Sequence, residues 1–368
     1  MRMKVLIGLG MSAAVAASSC GGGGGGPSAP PFESASLCAA VWEPVTPAAP
    51  FDVTSSLGYR DGVIYYTTFS PSSVMALPTA GGPATPIASL PTYGSELWVD
   101  GDQLIVSSGN YGTQFFSIPF AGGTPSLIVD GASGRSDPGS ALVYALTPTD
   151  FHWLEFPSTV GGPTTAWRVS RTGGSPTLVG SASATLPNGP VTAFDRMAVS
   201  ADAVVMAAVL GVAAALPLDG SPARVLATSD DLTRGSGNYA GIDAAGVYWT
   251  APRAGVPLIE DKSSVMLAPA DGGPLRVFWD GLPAHAGVWS MWPDGNGGWV
   301  IVSLEVFDDL KQRMVIWLMD ASGQAKRLGC SPPAETSLPY ISVRPAVAPD
   351  AIYLEDSGSK FQIVRVAR

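Results

Sequence analysis

Phe115-Phe116-Ser117-Ile118, followed shortly by Gly122-Gly123-Thr124-Pro125, is a short apolar run that ends in a glycine-rich turn and restarts as a second apolar run. The same element appears as Val74-Met75-Ala76-Leu77 before Gly81-Gly82-Pro83. It returns at Gly173-Gly174-Ser175-Pro176, Asp219-Gly220-Ser221-Pro222, Gly272-Gly273-Pro274 and, in weaker form, Ser322-Gly323-Gln324. Glycine and proline at such junctions supply the backbone angles of tight turns, so each copy reads as a β-hairpin. The second glycines are 41 to 53 residues apart, the period of propeller blades.

A second hairpin precedes each of these, marked by an Asp or Gly turn before an apolar strand. Asp61-Gly62 precedes Val63-Ile64-Tyr65-Tyr66, Asp150 precedes Phe151-His152-Trp153-Leu154, and Gly297-Gly298 precedes Trp299-Val300-Ile301-Val302. Two hairpins make a four-stranded blade. The chain offers seven second strands, seven third strands and six fourth strands, which predicts an all-β propeller of seven four-stranded blades, with six or eight as alternatives. The final third strand, Phe361 to Val366, has no successor, and an open strand edge must be covered. Ala39-Ala40-Val41-Trp42 is the spare β-prone run, so the N-terminal strand is expected to complete the last blade.

Val247-Tyr248-Trp249-Thr250 resembles the repeat signature of YWTD-type propellers, and the whole is similar to TolB-like exported bacterial propellers. That resemblance implies a blade architecture over nearly all of residues 38–368.

The N-terminus has the layout of a signal peptide: Arg2 and Lys4, an apolar run from Val5 to Ala17, then small residues. Ala17-Ser18-Ser19-Cys20 resembles the bacterial lipobox, which implies cleavage before Cys20 and acyl chains attached to it. Residues 1–19 are then a leader and 20–37 a tether, since Gly21 to Gly26 and the prolines after them have no apolar surface to bury. The expected location is the cell envelope, as an outer-membrane lipoprotein on its periplasmic face or the cell surface, with the membrane contacted through the acyl chains. In that oxidising setting the remaining pair, Cys38 and Cys330, reads as a disulfide that locks the ring and contributes up to about 5–6 kcal/mol.

The formal charge of −10 and the lack of any basic run exclude nucleic acid as a partner. Zinc signatures are absent, as is Gly-x-Ser-x-Gly; the glycine turns join strands and so are not phosphate cradles. No catalytic residue, metal or cofactor is assigned. Of the two histidines, His152 sits where Tyr65 and Tyr248 sit in other units, an interblade packing position, and His285 lies in a loop. Asp294-Gly295-Asn296-Gly297-Gly298 falls where every unit places a hairpin turn.

In a propeller the loops from second to third strand, and from one blade to the next, emerge on one face. Here that face receives the long segments 155–165, 251–264 and 303–313. It also receives Asp137, Asn188, Asp231, Arg234, Asn238, Tyr239, His285 and Trp289, the candidate ligand residues. The leading expectation is a non-enzymatic binding or assembly module for protein, peptide or glycan. The alternative is a propeller enzyme, a lyase, glycosidase or metal-dependent lactonase, with acidic residues at the central channel. Convergence of Glu96, Asp137, Asn188, Asp195, Asp231 and Asn238 on one pocket would favour the enzyme. Mass spectrometry of the exported protein, handled without reductant, checks the covalent expectations. A peptide starting at acylated Cys20 and a linked Cys38/Cys330 pair are expected; an unmodified Cys20 or two free thiols would refute them.

Overall fold

The computed structural model describes residues 42–45, 56–108, 114–131, 141–156, 162–183, 185–186, 189–190, 194, 196–208, 212–228, 238–251, 264–283, 286–307, 312–331, 344–356 and 362–368. The first strand is β1 (Glu43–Pro44). Blade 1 follows as β2 (Gly58–Arg60), β3 (Val63–Thr68), β4 (Ser73–Pro78) and β5 (Thr85–Ser89), and blade 2 as β6 (Gly94–Asp100), β7 (Gln103–Ser108), β8 (Gln114–Pro119) and β9 (Ser126–Asp130). Blade 3 is β10 (Ala141–Leu146), β11 (Asp150–Glu155), β12 (Thr164–Ser170) and β13 (Thr177–Ala182). A small hairpin, β14 (Thr185–Leu186) with β15 (Gly189–Pro190), leads to blade 4: β16 (Arg196–Val199), β17 (Ala203–Ala208), β18 (Val212–Pro217) and β19 (Arg224–Thr228). Blade 5 is β20 (Asn238–Asp243), β21 (Gly246–Ala251), β22 (Ser264–Pro269) and β23 (Arg276–Trp279). Blade 6 has the longest strands, β24 (Ala286–Pro293), β25 (Trp299–Val306), β26 (Gln312–Met319) and β27 (Ala325–Cys330). Blade 7 is β28 (Ala346–Val347), β29 (Ala351–Asp356) and β30 (Gln362–Ala367), completed by β1.

All ladders are antiparallel, and the seven blades form a ring with their first strands innermost. The reason lies in the strand pattern. Successive side chains point to opposite faces of a sheet. In β3, Ile64 and Tyr66 pack toward blade 7, and Tyr65 packs toward blade 2. Both faces of each blade are therefore buried, so second strands read as continuous apolar runs, not as alternating ones. The core is accordingly divided into seven layers, one at each blade interface. Phe115 of blade 2 stacking on Phe151 of blade 3, with ring centroids 4.2 Å apart, is one such layer at close range.

The glycine turns have an interblade reason as well. Gly122 has φ +85°, and a Cβ there would stand 2.5 Å from the Ile87 carbonyl oxygen of blade 1. Gly123 N donates to that same oxygen at 2.9 Å, so the turn docks on the preceding blade's outer strand. A β-bulge also recurs at matching places in the third-to-fourth strand ladders of blades 1 to 6, as at Val74/Met75, Phe115/Phe116 and Ile316/Trp317. Bulges sharpen local twist, which suits an outer strand curling over its neighbour.

Closure is by the N-terminus, with one difference in position. Among the described residues the pairs are Glu43 with Arg365 and Pro44 with Val364, just beyond the run expected from the sequence, of which residues 39–41 lie outside the described ones. Trp42 N donates to Cys330 O at 3.2 Å and Val45 N to Ile363 O at 2.8 Å, which brackets the short strand. Trp42 is the reason for this placement: its ring is 6% exposed, set among Val300, Ile316, Leu354 and Val364 between blades 6 and 7. Its indole N–H has no acceptor among the described residues. Trp42→Ala should cost about 3 kcal/mol in chemical denaturation and promote self-association through the freed edge. Trp42→Phe, which keeps most packing and removes the orphan donor, should cost less than about 1.5 kcal/mol.

Candidate functional site at the mouth of the channel

The two ends of the ring differ. Connections from first to second strand, such as 61–62 and 147–149, and from third to fourth, such as 120–125 and 171–176, are tight and emerge at one end. Asp294 shows how such a turn is held: its Oδ1 accepts from Asn296 N at 2.7 Å and Gly298 N at 2.9 Å. All the long connections, including 131–140, 229–237, 252–263 and 331–345, leave from the other end.

At that long-connection end, four innermost strands begin close to one another and deliver a polar cluster. Ser56 lies just ahead of β2, Glu96 is in β6, Arg196 opens β16, and Arg344 lies just ahead of β28. They come from blades 1, 2, 4 and 7. A register shift between Gly94 and Glu96 re-aims the start of β6. The buried Ser56 hydroxyl donates to Glu96 Oε2, and Glu96 N donates to Ser107 Oγ at 3.0 Å. Arg344 donates to Leu97 O at 2.9 Å while its own carbonyl accepts from Leu57 N, also at 2.9 Å. Burial pushes the Glu96 carboxyl up from its ordinary value, opposed by Arg344, the Ser56 hydroxyl and Arg196. The cluster thus holds a carboxylate whose charge depends on arginines from other blades, at the end of a channel whose walls are fixed.

Farther out, the bases of the long connections are also pinned by buried charge. Glu305, at the end of β25, accepts from Arg313 at 2.6 Å and Arg327 at 3.1 Å, with Arg313 only 3% exposed. Glu155 ends β11 buried and accepts from Trp153 Nε1 at 3.0 Å. Losing one partner of such a buried pair leaves an uncompensated charge, so these pairs hold the strand ends in place.

Asp137, Asn188, Asp195, Asp231, Arg234 and His285 lie outside the described residues, as do Cys20 and Cys38. Asn238 and Tyr239 open β20 on the long-connection end, with side chains outside the described set. Trp289 lies at the bulge of β24, half-buried against the layer between blades 6 and 7. His152 is buried at the blade 3–4 interface. Cys330 ends β27 and is buried. Of the residues whose convergence would mark an enzyme, Glu96 is the one with a described side chain, and its named partners are a serine and two arginines. Among the described residues no three His, Cys, Asp or Glu lie close enough to hold a metal ion. Ser56, Arg196 and Arg344 escaped the sequence reading. Their signal is positional: each stands where the repeat spacing starts an innermost strand.

Neither a protein-family model nor a curated protein matches the chain. Solved structures do, and they show the fold. YCF48, in a structure with a D1 peptide bound, superposes with a TM-score of 0.53 at 11% identity, covering 93% of this chain and 98% of that one. The extracellular domain of the hybrid two-component system protein BT4673 from Bacteroides thetaiotaomicron gives 0.51 at 9% identity, over 88% of this chain and 39% of that one. A protein described as TolB from Agrobacterium tumefaciens gives 0.43 at 15% identity, over 78% and 94%.

Because the folded pKa of Glu96 lies above the unfolded one, the native state holds the proton more tightly. Wild-type stability is then lost as pH rises from the ordinary carboxylate range through the raised value. Glu96→Gln lacks this loss. Its unfolding temperature relative to wild type should therefore climb between about pH 4 and neutrality; calorimetry showing a difference independent of pH would refute the assignment.

Proposed function

We propose that the protein is an exported, lipid-anchored binding module that holds a segment of another polypeptide on its long-connection face, without performing chemistry on it. One observation carries this reading: the long connections and the Ser56–Glu96–Arg344–Arg196 cluster share one end of a ring whose other end is all tight turns. Binding residues concentrate on loops positioned by a rigid scaffold, and this arrangement separates the two. A propeller of similar fold, YCF48, has been found with a peptide bound, which supports a polypeptide as the ligand class. The cluster's two guanidiniums against one carboxylate suit an acidic segment, although the chain as a whole carries −10.

Anchoring is proposed through acyl chains on Cys20, with residues 20–37 as the tether and the cell envelope as the location. A Cys38–Cys330 bond is proposed as a second lock on the ring, supported by the Trp42 N to Cys330 O hydrogen bond, which brings the chain just after Cys38 to the end of β27.

Position-dependent photocrosslinking in the producing cell tests the docking face. A photoreactive residue replacing Tyr239 should crosslink one polypeptide in stoichiometric amounts, and one replacing Ser322, in the tight turn after β26, should not. Equal yields at both positions, or none at Tyr239, would overturn the reading.

A further inference from the structure

Between blades 1 and 2, at the tight-turn end, Tyr65 closes the interface by packing on Phe120 with ring centroids 5.3 Å apart, and Ala76 is the cross-strand partner of Tyr65. Between blades 3 and 4 the equivalent three places hold His152, Leu218 and Arg168. A half-open cleft of about 420 Å3 lies here, walled on one side by the blade 3 residues Pro148, Asp150, His152 and Arg168, and on the other by Val199, Ser200 and Leu218 of blade 4. That volume is in the range of small-molecule sites.

Its ionisable groups share one wall. Asp150 and His152 are two apart on β11, and Arg168 on β12 is the direct partner of His152, so all three project from the same face of blade 3. Farther along that face, Leu154 and Ala166 seal against blade 4. His152 is 2% exposed, and its Nδ1 has no hydrogen-bond partner among the described residues. The Arg168 guanidinium makes no ion pair or hydrogen bond among the described residues. The Asp150 carboxylate accepts from the Thr149 hydroxyl at 2.6 Å and keeps acceptor capacity. Burial pushes the imidazole down to about 4, against Asp150 and with Arg168, so His152 is neutral near pH 7.

From this geometry we propose that the cavity binds a small zwitterion of the aliphatic α-amino-acid class. Arg168 takes its carboxylate and Asp150 its ammonium, and the His152 ring, Pro148, Val199 and Leu218 contact its side chain. One cation and one anion on the same wall match a ligand with both charges and no net charge. Guanidinium–carboxylate pairing is also the strongest hydrogen-bonding geometry the wall offers. The site lies at the opposite end of the ring from the proposed polypeptide face, so neither proposal depends on the other.

Calorimetric titration of the mature protein with L-leucine is the test. Saturable binding is expected, weakened about tenfold or more by Arg168→Gln and by Asp150→Asn. On wild type, isocaproate, which lacks the ammonium, and isoamylamine, which lacks the carboxylate, should each bind about tenfold more weakly than leucine. His152→Phe, restoring an aromatic as at Tyr65, should abolish binding while leaving the unfolding temperature unchanged or raised. No saturation by leucine up to about 10 mM overturns the proposal, as does isocaproate or isoamylamine binding as tightly as leucine. The two analogues decide the matter on unaltered protein even if a variant fails to fold.

Discussion

The structure depends on the few backbone hydrogen bonds by which β1 joins β30. Six blades are continuous in sequence, but the seventh takes its outer strand from the other end of the chain, so the ring is complete only when residues more than 300 positions apart have paired. Until then blade 7 has an open edge and blade 1 has a fixed neighbour on its blade 2 side alone. The channel cluster inherits this condition, because Arg344 and Ser56 come from blades 7 and 1 and are tied across that junction by Leu57 N and Arg344 O. The electrostatics at the mouth is in this sense a product of closure, not of any local motif.

The two ends of the ring divide structural labour. At the tight-turn end, glycines at positive φ let turns approach the preceding blade closely, and at Gly122 the spacing leaves no room for a side chain. At the other end, buried pairs such as Glu305 with Arg313 fix the strand ends from which the long connections start. A side chain at Gly122 is thus costly at one end, and the loss of a partner of Glu305 at the other. The interface between blades 3 and 4 departs from those between blades 1 and 2 and between blades 5 and 6: where aromatic rings close the layers around Tyr65 and Tyr248, a histidine, a leucine and an arginine line a cleft instead.

The fold was legible because it is written locally and many times over. The glycine turns, the apolar runs and the count of strands located every blade, and the unpaired last strand pointed to the N-terminus. The exact closing residues were not legible: propensity favoured Ala39 to Trp42, whereas burial of the Trp42 ring sets the register at Glu43–Pro44. The candidate site was less legible still. Glu96 could be suspected, but its partners Ser56, Arg196 and Arg344 lie in other blades, and no spacing rule links them. His152 was recognisable as standing where Tyr65 and Tyr248 stand in other units, a position that Ile105 and Val205 take in blades 2 and 4. Its burial fits the packing role read from the sequence, but the cavity beside it depends on Leu218 and Arg168, which only the register brings opposite.

The shortness of β1 has a mechanical consequence. A pull on the chain ahead of residue 42 reaches the ring first at its outermost and briefest strand, where two residues are paired and one tryptophan is embedded. Load arriving there would peel β1 from β30 before stressing any six- to eight-residue ladder. The Trp42 ring, wedged between blades 6 and 7, acts as a rivet that sets the force at which the ring opens, and such opening would leave six complete blades behind it.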